Sequence, residues 1–594
     1  MEVFMAKYSD ARNVQLVIAL LKKYGIRNVI ASPGTTNVPF VYSVQNDSFF
    51  RVLSAFDERS AAYMACGLAG ESGEPVVLSC TGATASRDYM PGLTEAFYRK
   101  LPVLALTSMH FTEDIGNLST QILDRSVIPN DIARYHTSLE MIENERMAKD
   151  EELRINIALS ELTRDGGGPV AVQLITDGNY TFGASSLPEV QKINRFLPEG
   201  VDEWPKLTSK SKIAVLLGAH RTFSAAESEA LEHFIETHNA VVFSDVSSGY
   251  RGKFSFGSAL SCIQLQDNPA RSAFNPDLVI HLGEMTGDYN TMGFLTGTHC
   301  PVWRVSPDGE FRQHFAKLKN VFQCTIEFFL SHYIGDESVE SEYRSLWCKY
   351  DAQLRKDMPE FPFSNIWIAQ QLSPMIPDES VVHPAILSSL SSWDYFPMSK
   401  NIHSSANVGG FGIDGCMSTL IGASFATNKL CFCITGDLAF FYDMNSLGCR
   451  EIGSNVRILL INNNLGMTFK LSNHVGSQIG KPADSFIAAA GHNISANGID
   501  KKHSSARAWA ESLGFEYLCA SSKDEFNAIK ECFVSQDAKR PILFECFTRE
   551  EDERNARDFI DVIDNRVDSK TRIKKIAKTI LPKTVIDSLK AIRR

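Results

Sequence analysis

The sequence lacks the features that would direct it into a membrane or an oxidising compartment. No run of about 18 consecutive apolar residues occurs, so no membrane-spanning helix is expected. The first residues lack the basic-then-apolar order of a signal peptide. The thirteen cysteines include no Cys-x-x-Cys pair and are odd in number, which indicates free thiols. The sequence therefore predicts a cytoplasmic protein.

The sequence also lacks a basic bias outside its last residues. Segment 566–594 holds ten Lys or Arg and two Asp, a net charge of +8, which leaves −19 on the rest of a chain whose total is −11. The acidic body argues against a partnership with nucleic acid. In the tail, basic and apolar residues alternate at roughly helical spacing, which predicts peripheral contact with the inner membrane surface or docking on a partner. A solvated terminal helix is the alternative.

What the sequence does contain is a regular alternation of apolar strands and helices. The chain is too long for one core. Continuous apolar strands between helices predict parallel sheets covered on both faces. The first helix is expected to be capped by Ser9 or Asp10 and to stop at Gly25. We expect an α/β protein with three doubly wound parallel-sheet domains and a basic helical tail: domains at 1–183, 212–345 and 355–555, a linker at 184–211 and the tail at 556–594.

One stretch of the third domain, Gly436–Asn464, places polar residues after two successive apolar strands. Asp437 follows the first strand, and the triple asparagine 462–464 ends the second. In open parallel sheets, ligands bind at the carboxyl ends of strands, so carboxylate and amide oxygens converge there if the strands are neighbours. Such oxygens suit Mg²⁺, which usually takes phosphate oxygens too. Gly436 allows a phosphate to approach the backbone, and a helix expected near Tyr442 would point its N-terminus there. The stretch predicts a metal-bridged diphosphate site; an Asp cap beside an Asn-rich turn is the alternative.

With three stretches of the first domain, this motif resembles thiamine diphosphate-dependent enzymes. The stretches are SPGTTNVPF at Ser32–Phe40, DERSAAYMACGLA at Asp57–Ala69, and Ser79–Ser108. They are similar to the family's pyrimidine-binding domain, and the domain order is that of the acetolactate synthase and 2-oxo acid decarboxylase group. The motifs SANVGGFGIDG and GDLAFFYDMNSL look most similar to the menaquinone-pathway SEPHCHC synthases. The resemblance implies thiamine diphosphate and Mg²⁺ as cofactors.

The resemblance implies roles for individual residues. Glu58 matches the carboxyl group that hydrogen-bonds the pyrimidine N1′ of the cofactor; a carboxylate favoured at a helix N-terminus is the alternative. Gln121 matches a glutamine near the substrate, and His110 is a candidate acid or base near pH 7. Ile413 matches the apolar residue that bends the cofactor, with a plain core isoleucine as the alternative. The matching cofactor positions are Glu58, Ile413, Gly436, Asp437, Leu438, Ala439, Asn463 and Met467, and the metal positions are Asp437, Asn463 and Leu465.

The departures from the SEPHCHC synthases concern the substrate. Their carboxylate-binding arginines are replaced here by Thr36, Val408 and the arginine-free segment HPAILSSLSS. Because Thr and Val do not reproduce bidentate Arg–carboxylate pairing, we expect a small, pyruvate-like 2-oxo acid as donor. The enamine formed by its decarboxylation would then attack an unknown acceptor carbonyl. Arg87 or Arg99, recruited from the first domain, would restore a carboxylate clamp.

Several alternatives stay open. They are a simple 2-oxo acid decarboxylase, a SEPHCHC synthase-like carboligase of 2-oxoglutarate and isochorismate, and a non-catalytic thiamine-fold regulatory protein. A nicotinamide-dependent dehydrogenase is excluded, because no Gly-x-Gly-x-x-Gly follows a first strand with an acid about 20 residues later. The resemblance further implies a homodimer or homotetramer in which Glu58 acts across the subunit interface.

Overall fold

The structure is a computed structural model. It describes residues 7–564, except for 56, 99, 209, 450 and 473 and the segments 177–179, 313–315 and 492–503. The expected basic tail lies outside the described residues from 565 onward, and the predictions made for it stay predictions. The chain divides into two compact units: the first comprises the chain up to Phe196 together with Glu310–Val321, and the second comprises Leu197–Gly309 and the chain from Phe322 onward.

The described residues form strands and helices in regular alternation. The strands are β1 (Asn28–Ala31), β2 (Arg51–Ser54), β3 (Val76–Thr81), β4 (Val103–Met109), β5 (Tyr135–Leu139), β6 (Val170–Ile175), β7 (Asn194–Phe196), β8 (Ile213–Leu217), β9 (Ala240–Phe243), β10 (Leu278–Leu282), β11 (Val302–Val305), β12 (Leu318–Phe322), β13 (Val381–Pro384), β14 (His403–Ser404), β15 (Cys431–Gly436), β16 (Val456–Asn462), β17 (Glu516–Ala520) and β18 (Ile542–Phe547).

The helices are α1 (Arg12–Tyr24), α2 (Val38–Gln45), α3 (Glu58–Ser72), α4 (Ala85–Asp88), α5 (Met90–Tyr98), α6 (Glu145–Glu161), α7 (Ala225–Thr237), α8 (Ala259–Leu265), α9 (Arg271–Phe274), α10 (Tyr289–Thr296), α11 (Ile326–His332), α12 (Glu342–Lys356), α13 (Asn365–Leu372), α14 (Ser388–Trp393), α15 (Cys416–Ser424), α16 (Asp437–Asp443), α17 (Val475–Ile479), α18 (Ser505–Ser512), α19 (Lys523–Val534) and α20 (Glu550–Ile560). Of the helices in the described part of the chain, none has the length and hydropathy needed to span a bilayer.

Three six-stranded sheets organise these elements, which confirms the predicted α/β fold. The first has the order β2-β1-β3-β4-β6-β5, the second β7-β12-β11-β10-β8-β9, and the third β14-β13-β15-β16-β18-β17. All pairs in the first and third sheets are parallel, as are those joining β9, β8, β10 and β11. Counted from the start of each sheet, the first and third have the same strand order. The individual domain boundaries stay predictions.

The continuous apolar strands are explained by burial on two faces. Along β3, Val77 packs into one apolar cluster, whereas Val76 and Leu78 pack into another. On the neighbouring strand, Val29 and Ile30 divide between the same two clusters. Successive side chains point to opposite faces of a strand, so a sheet covered by helices on both sides needs apolar residues at every position. Polar residues are therefore concentrated at the strand ends, where the candidate site lies.

Candidate functional site

The two strands of the Gly436–Asn464 motif are neighbours, as the sequence argument required. β15 pairs with β16 in parallel, with Gly436 opposite Ile461. Asp437 and the triple asparagine therefore lie at the same carboxyl edge of the third sheet. β13 pairs with the other side of β15. The chain reverses its direction of winding between β13 and β15, the kind of crevice where open α/β sheets bind ligands.

Asp437 joins the two halves of the motif. The side chain is buried, at 2% exposure. Its Oδ1 accepts a hydrogen bond from the backbone N–H of Leu438 at 2.7 Å, and its Oδ2 accepts one from Asn463 N–H at 3.0 Å. α16 begins at Asp437 itself, with Gly436 as its N-cap. The expectation of a helix start near Tyr442 was therefore wrong, because the helix follows the strand without a loop. The carboxylate stabilises both the first turn of α16 and the turn after β16.

The three asparagines have three different surroundings. Asn462 is fully buried; its Nδ2 donates to Glu545 Oε1 at 2.6 Å and its Oδ1 accepts from the backbone N–H of Asn464 at 3.0 Å. Asn464 has a left-handed backbone, with φ of 64°. The Oδ1 of Asn463 is buried and has no hydrogen-bond partner. Among the three, Asn463 is the residue that presents an unused oxygen.

Glu545, which the sequence argument missed, anchors this turn. It lies on β18 at 0% exposure and accepts hydrogen bonds from Ser504 Oγ and Tyr517 OH, each at 2.7 Å, besides that from Asn462. Burial raises the pKa of this carboxyl above its ordinary value, and the three donors oppose that rise. A single acid inside the apolar strand ILFECF was the signal available in the sequence, since a buried acid needs donors.

A cleft of about 120 Å³ opens at this edge of the second unit. The eight cofactor and metal positions predicted for this part of the chain all line it: Ile413, Gly436, Asp437, Leu438, Ala439, Asn463, Leu465 and Met467. Segment 385–389, within the arginine-free HPAILSSLSS, forms another part of the wall. A larger cleft of about 450 Å³ in the same unit, lined in part by Arg251 and His403, contains none of the predicted residues.

The wall formed by segment 385–389 is conformationally strained. Leu387 has φ of 67° and ψ of −119°, a backbone conformation that costs a non-glycine residue of the order of 1–3 kcal/mol. α14 begins directly after it, and Ser388 Oγ lies 2.7 Å from Thr468 Oγ1 on the opposite wall. Strain that persists in a cleft wall indicates that the surrounding structure imposes the geometry, as functional sites commonly do.

Glu553 is a second acid of the cleft that the sequence did not reveal. It lies in the first turn of α20, is 6% exposed, and accepts a hydrogen bond from the backbone N–H of Asn365 at 2.9 Å. Burial raises its pKa to about 7. The sequence EEDER at the start of α20 resembles any acidic first helical turn. Its special position follows only from the packing of this helix beside the cleft.

The residues present fit a divalent cation that bridges to a diphosphate. Asn463 offers a buried oxygen without a partner, and a Cβ built at Gly436 would meet no atom within 4 Å, so glycine leaves space on the backbone there. Asp437, Asn463 and the carbonyl of Leu465 are the oxygen ligands that the sequence predicts. Within the described residues, no group of three His, Cys, Asp or Glu side chains could hold a metal. A site of one carboxylate with amide and peptide oxygens is of a different kind, one that suits Mg²⁺.

The remaining predicted residues lie in the first compact unit. Glu58 is half-buried and is the first residue of α3, whose N-cap Asp57 accepts from Ser60 N–H at 2.8 Å. His110 directly follows β4 and is half-buried, whereas Gln121, in the loop after β4, is exposed and has φ of 66°. The structure thus gathers eight of the predicted residues into one cleft and places Glu58, His110 and Gln121 in the other unit. The roles of these three stay predictions.

Comparisons with known proteins agree with the cofactor class. Residues 12–128 match the family described as thiamine pyrophosphate enzyme, N-terminal TPP binding domain. The chain is similar to 2-succinyl-5-enolpyruvyl-6-hydroxy-3-cyclohexene-1-carboxylate synthases. That of Phocaeicola vulgatus is 27% identical over 94% of this chain and 100% of its own length, and that of Bacteroides thetaiotaomicron is 28% identical over 93% and 99%. That of Christiangramia forsetii is 28% identical over 91% of this chain and 97% of its own. The chain is thus a homologue of thiamine diphosphate-dependent enzymes, related to these synthases over nearly its whole length.

Proposed function

We propose that this protein uses thiamine diphosphate and Mg²⁺ to decarboxylate a 2-oxo acid and to join the product to an acceptor carbonyl. The observation that carries the proposal is the cleft at the carboxyl ends of β15 and β16. It brings together the Asp437 carboxylate, the unpartnered Oδ1 of Asn463 and the open backbone at Gly436. That set of groups fits a cation–diphosphate pair, and the unpartnered Oδ1 of Asn463 has no evident purpose in a purely structural turn.

Different residues of the chain would have different roles in this reaction. When bound, thiamine diphosphate supplies the carbon nucleophile and the electron sink for decarboxylation. Asp437, Asn463 and the carbonyl of Leu465 would hold the cation, and Ile413 would support the bent cofactor from the cleft wall. Glu58 would hold a proton at the N1′ side of the pyrimidine, as its family match implies. A regulatory protein without activity would have no need to keep these groups together.

We further propose that the working site is completed by a second copy of the chain. Glu58 opens α3 in the first compact unit, whereas the cation ligands belong to the second. On α3, Tyr63 and Met64 are 48% and 45% exposed, and Tyr442 on α16 is 62% exposed. Large apolar side chains exposed beside candidate catalytic residues favour coverage by a partner subunit. A homodimer or homotetramer would meet this need.

The finer proposal concerns the donor. Among the residues that the structure describes, those lining the cleft include no Lys, Arg or His. Thr36 is buried and donates its hydroxyl to the carbonyl of Ser108 at 2.8 Å, and Val408 packs in an apolar cluster with Val246 and Leu390. These positions provide no charge for a distal carboxylate, which supports a small pyruvate-like donor. The second candidate is a 2-oxoglutarate-type donor, favoured by the near full-length similarity to synthases of a succinyl-bearing product.

Release of CO₂ from pyruvate and from 2-oxoglutarate, measured side by side, tests the proposal. We expect faster release from pyruvate, by on the order of a hundredfold, because an unpaired carboxylate is costly to bury. Glu58→Gln should lower turnover by roughly 10²–10⁴-fold while thiamine diphosphate still binds, as measured by quenching of intrinsic fluorescence. Asp437→Ala should instead remove the Mg²⁺-dependent binding. Preference for 2-oxoglutarate would favour the second candidate, and no release from either acid by a cofactor-loaded protein would reject both.

A further inference from the structure

Arg125, in the first compact unit, is a buried cation with unused donors. It is 5% exposed, and its Nε donates to Ser86 Oγ at 2.6 Å. Its Nη1 and Nη2 are buried and have no hydrogen-bond partner. Arg125 lies in the loop between β4 and β5, which also carries His110 and Gln121. Burial removes the hydration of a guanidinium, and this is costly when no other group replaces the lost hydrogen bonds. An anion bound at Nη1 and Nη2 would compensate that cost.

Other buried arginines of the chain show the contrast. Arg457 is fully buried and donates to the carbonyls of Phe533, Ser535 and Ser454 at 2.6–2.9 Å. Arg304 is 1% exposed and pairs with Glu284 at 3.2 Å. Across the residues that the structure describes, no ion pair joins Arg125 to a carboxylate. Arg304 leaves only its Nε without a partner, whereas Arg125 leaves both of its Nη atoms without one.

A second guanidinium lies close to the first. Burial lowers the pKa of Arg125, and the like charge of Arg87 lowers it further. Arg87 is exposed, and its Nη2 donates to the carbonyl of Asp124 at 3.3 Å. The exposed carboxylate of Asp124 acts electrostatically on Arg87, but Nη1 and Nη2 of Arg125 have no partner. A bound oxyanion would relieve the repulsion between the two guanidinium groups. The planar fork of a guanidinium matches the two oxygens of a carboxylate.

The position of this pair relates it to Glu58. The thiol of Cys80 on β3 has a pKa of about 12: burial raises this pKa most, the negative charge of Glu58 also raises it, and the positive charge of Arg125 lowers it. Glu58 and Arg125 are thus both close enough to Cys80, at the carboxyl end of the first sheet, to affect the pKa of its thiol. An anion held by Arg125 would lie in the same part of the first unit as Glu58.

We propose that Arg125 and Arg87 form a carboxylate-binding site for a small-molecule substrate. Assigning the carboxylate to the acceptor rests on the proposed function, in which Glu58 marks the reacting region of the first unit and the donor is a pyruvate-like acid without a second carboxylate. The positive charges of Arg125 and Arg87 would take the place of the arginines that are replaced by Thr36 and Val408 in this chain. The acceptor is then a carbonyl compound that also carries a carboxylate.

Anion binding by the full-length protein without cofactor tests the site. The probes are succinate and inorganic phosphate, and the measurement is the rise of Tm with probe concentration, since a ligand of the native state stabilises it. Arg125→Met should start at a higher Tm than the parent, because it removes an unpaired buried charge. Its apparent affinity for succinate should fall by about tenfold or more. Arg457→Met, the matched control, should lower Tm and keep the parental affinity for succinate.

The opposite outcomes would overturn the proposal. They are a lower Tm with parental succinate affinity in Arg125→Met, tighter binding of phosphate than of succinate, or no succinate binding by the parent. If, in addition, Arg125→Met dissociates the oligomer in sedimentation, the anion is a carboxylate of a second copy. Arg87→Met, at an exposed position, tests the site without risk to folding and should weaken succinate binding about threefold or more. Succinate binding without any 2-oxo acid turnover would reject the proposed function and leave the site standing.

Discussion

At the scale of single residues, Glu553 shows how burial turns an ordinary acid into a group that titrates near neutral pH. Its pKa lies at about 7, against an ordinary value of 4.5, because burial disfavours the charged form. The folded protein therefore binds a proton more tightly than the unfolded chain does. The resulting stabilisation is fully present below about pH 4.5 and is lost as pH rises through about 7.

Replacing Glu553 by Gln should remove this pH dependence. Between pH 5 and pH 8 the free energy of unfolding of the parent should fall, with up to about 3 kcal/mol of the fall due to this residue. Glu553→Gln should show a correspondingly smaller fall in urea titrations at the two pH values. Glu551→Gln, which changes an exposed carboxylate in the same helical turn, should keep the parental profile. Identical pH profiles for the parent and Glu553→Gln would show that another group dominates.

The residues that could be predicted are those whose position is fixed by nearby sequence. Asp437 and Asn463 follow apolar strands directly, and parallel pairing of those strands suffices to bring them together. The roles of Glu545 and Arg125 could not be predicted, because they depend on segments far away in the sequence; for Glu545 the sequence showed only an acid inside an apolar strand. Glu545 takes its donors from Ser504, Tyr517 and Asn462, and the isolation of Arg125 is visible only once its neighbours are placed.

At the scale of elements, the sequence indicated helix ends better than helix starts. Gly25 ends α1 as predicted, with φ of 77° and its N–H directed to the carbonyls of Leu21 and Lys22. The predicted caps Ser9 and Asp10 were wrong, because Ala11 occupies the N-cap. The carboxylate of Asp10 accepts instead from the distant Gly183 N–H at 3.0 Å. A left-handed glycine acts through local sterics, whereas a capping side chain can be taken by a tertiary partner.

The turn after β16 offers a test of how one element positions a cation site. Glu545 accepts a hydrogen bond from the side-chain amide of Asn462, whose Oδ1 accepts one from the backbone N–H of Asn464, a residue with a left-handed backbone. The turn stabilised in this way contains Asn463. Glu545→Leu should raise the Mg²⁺ concentration needed for half-maximal thiamine diphosphate binding by about tenfold or more. Tyr517→Phe removes a hydrogen bond from the other oxygen of the same carboxylate and should change this half-maximal Mg²⁺ concentration by less than about threefold.

Glu545→Gln should restore most of the Mg²⁺ affinity, because its amide oxygen still accepts from Asn462 and its NH₂ donates to the two hydroxyls. If Glu545→Leu and Tyr517→Phe weaken Mg²⁺-dependent binding equally, the effect is general destabilisation and the positioning argument fails. Thermal unfolding of each variant without Mg²⁺ separates the two cases.

At the scale of the whole molecule, the structure confirms the three sheets that the sequence predicted. The division of the chain into two compact units was not predicted, because it depends on contacts between distant segments, whereas the alternation of strands and helices is visible in the chain. The predicted assembly of several copies can be tested without structural data, because the candidate residues fall into both units.

Co-expression of two inactive variants should restore activity if the site is shared between subunits. Glu58→Gln and Asp437→Ala damage different units, so in a mixed dimer one site receives both intact residues and the other receives neither. Random pairing in a symmetric dimer should give about a quarter of the parental turnover. Mixtures should be compared with each variant expressed alone. Activity no higher in the mixture than in the single variants would place the complete site within one chain.

The identical strand order of the first and third sheets has a consequence for evolutionary divergence. One connectivity is used twice, in a chain without a short-period internal repeat, and each copy presents its own carboxyl edge. In the proposed scheme one edge anchors the diphosphate of the cofactor, whereas the other carries Glu58, which serves its pyrimidine, and Arg125, which serves the substrate. Substitutions around Arg125 that leave Glu58 in place can therefore change which molecules react while the cofactor is still held. Lineages derived from this chain are expected to keep their cofactor and to diverge in acceptor, because the architecture separates the two traits.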